Sequence, residues 1–100
     1  MRAFLFITFL FSFAIAKGAV ITGKVTNAIN NEPIPFANVI VQGQTTGTTT
    51  DFDGNYTLEG ISPGLYNVEA SFIGFNSETQ FEIEVSNARV AIVNFELQES

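Results

Sequence analysis

The stretch "TTTDFDGNYTL", Thr48 to Leu58, decides how the rest of the chain is interpreted. Its centre, Asp53-Gly54, lies between two runs in which β-branched and apolar side chains alternate with polar ones. Asp-Gly in that setting favours a hairpin turn, because glycine adopts a positive φ without a Cβ clash. We therefore predict a turn here that joins two strands as a hairpin.

The length of this turn follows from the side chains around it. A two-residue loop would place Asp51 opposite Tyr56 and on the same face, which is unfavourable for a carboxylate if that face is buried. We therefore expect a longer loop. In such a loop the Asp51 carboxylate turns back and accepts hydrogen bonds from backbone N–H groups.

The same acidic segment has a second interpretation, as a calcium site. Asp51, Asp53 and Asn55 alternate like the first three ligands of an EF-hand loop. That loop also needs Gly at its sixth position and Glu at its twelfth, and here these positions hold Tyr56 and Ser62. An EF-hand is therefore excluded. A looser Ca²⁺ site stays open as the alternative, and we predict a turn with no metal or other cofactor.

Strand patterns continue on both sides of this turn. Apolar and polar residues alternate with a period of two in runs rich in Val, Ile, Phe and Thr, separated by turn-forming segments. These runs are 20–27, 36–43, 48–50, 55–60, 65–75, 78–85 and 89–97. Because no run has the i, i+3, i+4 spacing of an amphipathic helix, we predict an all-β fold. The expected architecture is an antiparallel Greek-key β-sandwich of about seven strands.

The alternation also assigns a buried and a solvent-facing side to each strand. In the run 78–85, the side chains expected in the core are Phe81, Ile83 and Val85, with Gln80, Glu82 and Glu84 in solvent. We accordingly interpret Glu82 and Glu84 as part of the solvent-exposed face of a strand rather than as paired catalytic carboxylates. An aromatic ligand platform is an alternative for Tyr66, Phe72 and Phe75, but aromatics at this spacing are more often part of a core.

The first residues have the composition of an export signal. Met1-Arg2 supplies a positive charge, an apolar run follows, and Ala14 and Ala16 form a small-residue cleavage pattern. The apolar run of roughly 13 residues is shorter than the ~20 needed to cross a bilayer. We therefore predict a signal peptide at residues 1–16 and a single domain at residues 17–100.

Composition excludes several classes of function. The sequence contains no His and no Cys, which removes His-based triads, thiol chemistry and ordinary zinc sites. After residue 16 the sequence has ten carboxylates but only three basic side chains, Lys17, Lys24 and Arg89. A nucleic-acid partner is therefore not expected. We predict no catalytic residues and no enzyme.

A family resemblance is carried by several short motifs together. They are Gly23-Lys24-Val25, Pro33-Ile-Pro35 before Ala37-Asn38-Val39, Gly43, the Thr-Asp-x-Asp-Gly-x-Tyr of Thr50 to Tyr56, Pro63-Gly64-x-Tyr66, and Ser71-Phe-Ile-Gly74-Phe75. Over residues 20–97 the chain resembles the carboxypeptidase regulatory-like domain, a transthyretin-like β-sandwich. The resemblance implies a domain without peptidase activity of its own.

The position of these motifs behind an export signal implies a cellular setting. Such domains accompany the catalytic domain of carboxypeptidases, and they also follow the signal peptide of TonB-dependent outer-membrane transporters, the group to which this sequence is more similar. The resemblance implies a non-catalytic envelope module in the periplasm or outer membrane, whose partner is a transporter or the remainder of a longer chain. A free-standing module and the leading piece of a longer protein both stay open. The alternative function is a secreted adhesion or carbohydrate-binding module.

Export is expected to remove residues 1–16, because Ala14 and Ala16 place small side chains where signal peptidase requires them. N-terminal sequencing of the exported protein should therefore begin at Lys17. A protein in the envelope fraction that retains Met1 would contradict the signal peptide.

Overall fold

The computed structural model describes residues 18–100, which form eight β-strands. They are β1 (Ala19–Asn27), β2 (Asn38–Val41), β3 (Gly47–Thr49), β4 (Asn55–Ile61), β5 (Gly64–Ser71), β6 (Glu78–Val85), β7 (Ala91–Ile92) and β8 (Phe95–Leu97). The predicted signal peptide lies outside the described residues and stays a prediction. Within the described part, no helix has the length and apolar character needed to span a membrane.

The strands form two four-stranded sheets. In the first, β1 is central and pairs with β4 on one side and with β7 and then β8 on the other. The second has the order β3-β2-β5-β6, and all its pairs are antiparallel. Apolar side chains of both sheets form one buried cluster, which includes Ile21, Val25, Leu58, Val39, Val68 and Phe95. The predicted all-β sandwich is confirmed.

The last predicted strand differs from its expected form in two respects. The run 89–97 is divided into β7 and β8, and both pieces are parallel to β1 rather than antiparallel. Alternation alone does not distinguish the two directions, because a strand presents the same side chains to the core either way. Val93, Phe95 and Leu97 are buried, which agrees with the period-two alternation of the run 89–97.

A bulge in β6 exchanges the buried and the solvent-facing sides predicted for the first half of this strand. Tyr66 pairs with Ile83 but Val68 pairs with Gln80, so β6 carries one extra residue between these pairs. Glu82 takes φ 57 at this point, and its N–H donates to the Asn67 Oδ1 at 3.0 Å. The extra residue shifts the side-chain alternation by one position.

This shift makes the predicted placement of two side chains wrong. Phe81, expected in the core, is 68% exposed. Gln80, expected in solvent, is partly buried, and its Nε2 donates to the Asn94 carbonyl at 2.5 Å. Beyond the bulge the predicted pattern is restored, since Val85 is buried.

The Asp-Gly turn connects the two sheets. β3, before the turn, pairs with β2, whereas β4, after it, pairs with β1. The prediction of a turn is confirmed, and the prediction that it closes a hairpin is wrong. A turn motif specifies the local backbone path, but the partner of each strand depends on which sheet buries its apolar side chains.

The break between β7 and β8 is closed by hydrogen bonds to the neighbouring strands. The Val93 N–H donates to the Thr22 carbonyl at 2.8 Å, and the Tyr56 hydroxyl donates to the Val93 carbonyl at 2.5 Å. The Asn94 side chain replaces a backbone acceptor, because its Oδ1 receives the Lys24 N–H at 2.9 Å. The backbone groups at the break are therefore paired despite the interrupted strand.

Gly23 makes this arrangement sterically possible. A Cβ at this position would lie 1.8 Å from the Val93 carbonyl oxygen and 3.0 Å from Cε2 of Tyr56, its partner across β1 and β4. The Tyr56 ring thus covers a strand glycine, an arrangement that compensates for the missing side chain. Burial raises the pKa of the Tyr56 phenol above its ordinary 10.0, so the hydroxyl remains a donor.

Gly23→Ala is expected to destabilise the fold by more than about 2 kcal/mol, because the new methyl group would meet a backbone carbonyl that is itself hydrogen-bonded. In an unobstructed strand the same change would instead stabilise by ~0.5–1 kcal/mol. The sign of the change in the free energy of unfolding, measured by urea denaturation, therefore shows whether the new methyl group meets the Val93 carbonyl. A variant as stable as the native protein would contradict the close approach.

Candidate functional site

The turn of residues 51–55 is built around one carboxylate oxygen. The Oδ1 atom of Asp51 accepts the N–H groups of Asp53 and Asn55, each at 2.9 Å. The Asp51 N–H donates to the Asn55 carbonyl at 2.9 Å, and its own carbonyl accepts the Gly54 N–H at 2.9 Å. The loop between the paired residues 51 and 55 is longer than two residues. Both predictions, the longer loop and the inward-turned carboxylate, are confirmed.

These bonds account for the acidic residue without a metal. Asp51 directs its Oδ1 at two backbone donors, so this oxygen serves the turn as the capping group of an Asx motif. Among residues 18–100, no group of three or more acidic side chains is close enough to hold a metal ion. The absence of a cofactor stays a prediction, and the turn alone explains why Asp51 is present.

Gly54 packs the turn against the first sheet. It is buried with φ 79, and a Cβ here would lie 2.7 Å from the Val25 carbonyl oxygen and 3.0 Å from the Pro33 Cβ. The Gly54 carbonyl accepts the Val25 N–H at 2.9 Å. Both the backbone angle and the available space therefore require glycine.

Thr50, at the entrance to the turn, holds the loop that connects β1 and β2. Its Oγ1 donates to the Ile34 carbonyl at 2.6 Å and accepts the Ala37 N–H at 2.9 Å. Its backbone N–H donates to the Ala37 carbonyl at 2.9 Å, and its carbonyl accepts the Phe36 N–H at 3.0 Å. Thr50 is only 2% exposed, so these four bonds are shielded from water. We call this set the Thr50 clamp.

The clamp holds Phe36 in an unusual backbone conformation. Its φ of 63 lies in the left-handed region, which is unfavourable for a bulky side chain. The Phe36 ring is 55% exposed and contacts the Phe52 ring, which is 77% exposed, at a centroid distance of 5.3 Å. The two planes meet at 77°, an edge-to-face contact. We call Phe36 and Phe52 the aromatic pair.

Sequence reasoning did not identify the aromatic pair or the Thr50 clamp. Phe36 and Thr50 were assigned to strands, in the runs 36–43 and 48–50, and Phe52 was noted only as a position of a motif. One signal was present: an apolar aromatic residue between two acidic residues of an exposed turn has no role in forming that turn.

The aromatic residues that the sequence did single out are part of the structural core. Tyr66, Phe72 and Phe75 are partly buried and pack against the core cluster. The rings of Phe72 and Phe75 lie 6.1 Å apart, and the Tyr66 hydroxyl donates to the Ser62 carbonyl at 2.7 Å. Their interpretation as core residues is confirmed.

Gly54→Ala is expected to cost more stability than the matched change Gly43→Ala. Both glycines have positive φ, 79 and 82, so both variants pay the left-handed penalty of ~1–2 kcal/mol. Only Gly54 would also bring a Cβ against a carbonyl oxygen, since nothing lies within 4 Å at Gly43. Equal melting temperatures for the two variants would show that Gly54 is not tightly packed.

Thr50→Val is expected to destabilise the domain by about 2 kcal/mol or more, because it leaves the Ala37 N–H and the Ile34 carbonyl buried without their partner. Thr50→Ser keeps the hydroxyl and serves as the control, with a loss of roughly 1 kcal/mol from the missing methyl group. Chemical denaturation of both variants checks the order. If Thr50→Ser lowers the free energy of unfolding as much as Thr50→Val does, the hydrogen bonds of the Thr50 hydroxyl do not hold the loop.

Comparison with solved structures supports the fold. A chain from the crystal structure of a type II cohesin–X-dockerin complex of Acetivibrio cellulolyticus superposes with a TM-score of 0.65. The superposition covers 78% of this chain and 53% of that one, with 15% sequence identity. At this identity the likeness concerns the β-sandwich architecture alone.

Comparison with characterised sequences identifies closer relatives. A TonB-dependent receptor of Formosa agariphila is 38% identical over 72 residues, and the TonB-dependent receptor SusC of Bacteroides thetaiotaomicron is 40% identical over 65. Carboxypeptidase D of Anas platyrhynchos is 33% identical over 78 residues. These alignments cover 72%, 65% and 78% of this chain but only 7%, 6% and 6% of the relatives, so the chain spans less than a tenth of their length.

The family assignment rests on nearly all of the described domain. The profile of the CarboxypepD_reg-like domain matches residues 21–100, a range that begins within β1 and includes all of β2 to β8. It also includes the Asp51 turn and the Thr50 clamp. The chain therefore belongs to the family of CarboxypepD_reg-like domains.

Proposed function

We propose that this domain is a non-catalytic accessory module of a TonB-dependent outer-membrane receptor, exported to the envelope, where it acts by binding protein on the periplasmic side. The observation that carries the proposal is the similarity to TonB-dependent receptors of two organisms, at 38% and 40% identity, over a region the size of this domain. The predicted signal peptide directly before β1 supports the same location.

The chemistry of the side chains supports a non-catalytic role. The sequence lacks His, the most frequent general base, and Cys, one of the common nucleophiles. The Tyr56 phenol is buried and donates to a backbone carbonyl, and the Asp51 carboxylate is engaged by its turn. Similarity to carboxypeptidase D is confined to 6% of that protein, consistent with a regulatory-like module rather than a peptidase.

The sheet edges indicate how the module contacts a partner. An exposed, regular edge strand recruits another strand through its free N–H and C=O groups, and proteins block such edges with short, bulged or charged strands. Here β3 has three residues, β6 carries a bulge and exposed glutamates, and β7 is separated from β8 by a break.

The fourth edge, β4, is irregular as well. Its register against β1 shifts between Ala19 and Ile21, where Gly60 takes φ 74. All four edges of the described sheets therefore disfavour strand addition. We infer that the partner is bound through exposed side chains.

The proposal is tested by locating the protein in its native envelope. Antibodies raised against residues 21–100 should detect the domain in the outer-membrane fraction, either within a chain of receptor size or in a crosslinked complex with a TonB-dependent receptor. A strain with the codons for this region deleted is the control for antibody specificity. Recovery only from the cytoplasm, or only as a free extracellular protein, would contradict the proposal.

A further inference from the structure

We propose that the aromatic pair, Phe36 and Phe52, is a docking site for a protein segment that carries an apolar side chain flanked by lysine or arginine. The inference deepens the proposed function, on which it rests, by assigning the protein contact to one surface and stating the chemistry of the partner.

The turn has no structural use for the Phe52 side chain. Asp51 and Gly54 supply the hydrogen bonds and the backbone angle on which the turn depends. Phe52 is 77% exposed, so a polar residue would serve the turn without presenting an apolar ring to water. Single exposed apolar residues are common, but Phe52 contacts a second exposed ring, and together they form a patch.

The fold holds the exposed Phe36 ring through a constrained backbone. The neighbours Ile34 and Ala37 are buried, whereas Phe36 between them is absent from the core and takes a left-handed backbone angle. The Thr50 clamp fixes that angle through bonds to both sides of Phe36. Strained backbone conformations that the surroundings hold in place cluster at functional sites. Here the strain orients Phe36 against Phe52 and contributes nothing to the core.

The segments around the aromatic pair carry a negative charge. The segments that present it, residues 28–37 and 50–55, contain Glu32, Asp51 and Asp53 and no lysine or arginine. Lys24 is the cross-strand partner of Asn55, so these three carboxylates outnumber the one cation paired with the turn. All three carboxylates are exposed. A cationic segment would meet a complementary potential as its apolar side chain reaches the rings. A second copy of this chain would bring the same carboxylates against each other, which disfavours self-association through this surface.

The ring geometry distinguishes a protein partner from a sugar. Stacking of a sugar ring requires an accessible flat aromatic face, and two rings widen that platform only when they lie nearly coplanar. The planes of Phe36 and Phe52 meet at 77°, so one ring presents its face and the other its edge. That angle forms a corner suited to an aliphatic side chain. The geometry therefore favours an apolar protein anchor over a glycan.

The test uses the exported full chain and a defined probe, a fluorescent heptapeptide with a central leucine flanked on each side by two lysines. We expect binding by anisotropy, with amide NMR shifts concentrated at Phe36, Phe52 and their neighbours. Phe52→Ala should weaken binding by about tenfold or more, as loss of a central aromatic anchor does. Replacing the four lysines of the probe by glutamates, or its leucine by alanine, should have an effect of similar size.

Two further variants separate a lost contact from a lost fold. Phe36→Gly removes the ring and relieves the left-handed angle, so its melting temperature should equal or exceed that of the native chain while peptide binding falls. Phe81→Ala is the matched control, since Phe81 is 68% exposed on β6, which forms the edge of the second sheet opposite β3. Its affinity should stay within about twofold of the native value.

Each contrary outcome overturns the proposal. No peptide binding, equal binding of the glutamate probe, or equal losses in Phe81→Ala and Phe52→Ala would remove the docking site. Binding of maltoheptaose at the pair without peptide binding would make the site a glycan site. A dimer in sedimentation that Phe52→Ala abolishes would make the occupant a second copy. Envelope fractionation remains a separate measurement, so a failure of the receptor assignment is distinguishable from a failure of this site.

Discussion

The close passage of the Val93 carbonyl over Gly23 constrains the whole first sheet. Three strands meet at this contact: β1 supplies the glycine, the junction of β7 and β8 supplies the carbonyl, and β4 supplies the Tyr56 hydroxyl that binds it. With β4 fixed against β1, the Gly54 carbonyl reaches the Val25 N–H, and the sheet-connecting turn is set against the sandwich. Thr50, just before that turn, then positions the β1–β2 loop. The exposed aromatic pair is therefore placed by contacts that begin in the core.

Sequence reasoning was reliable where buried and exposed side chains alternate regularly along a strand. The alternation in residues 20–27 and 55–60 predicted β1 and β4 closely, and it identified Tyr66, Phe72 and Phe75 as core residues. The Asp51 turn was predictable because the hydrogen bonds of an Asx turn are local in sequence. These features depend on neighbours a few residues away.

The errors arose where the decisive partner is distant in sequence. The bulge that exposes Phe81 depends on the register of β6 against β5 and on the Asn67 side chain, neither of which alternation encodes. The direction and the interruption of the last strand depend on its pairing with β1, about seventy residues earlier in the chain. The Thr50 clamp depends on a loop that lies 13 and 16 residues before it. Each requires a tertiary contact that a pattern of residue types does not specify.

The parallel pairing of β1 with β7 and β8 has a mechanical consequence. Ala19 begins β1, and Leu97 lies beside Asn27 at the opposite end of that strand. Tension between the two ends of the domain therefore runs along the strands and loads the β1–β8 hydrogen bonds in shear, together, instead of opening them one after another. Forced unfolding is governed by the unfolding rate rather than by equilibrium stability. In this topology a pull on the two ends has to break several β1–β8 hydrogen bonds at once before the strands separate.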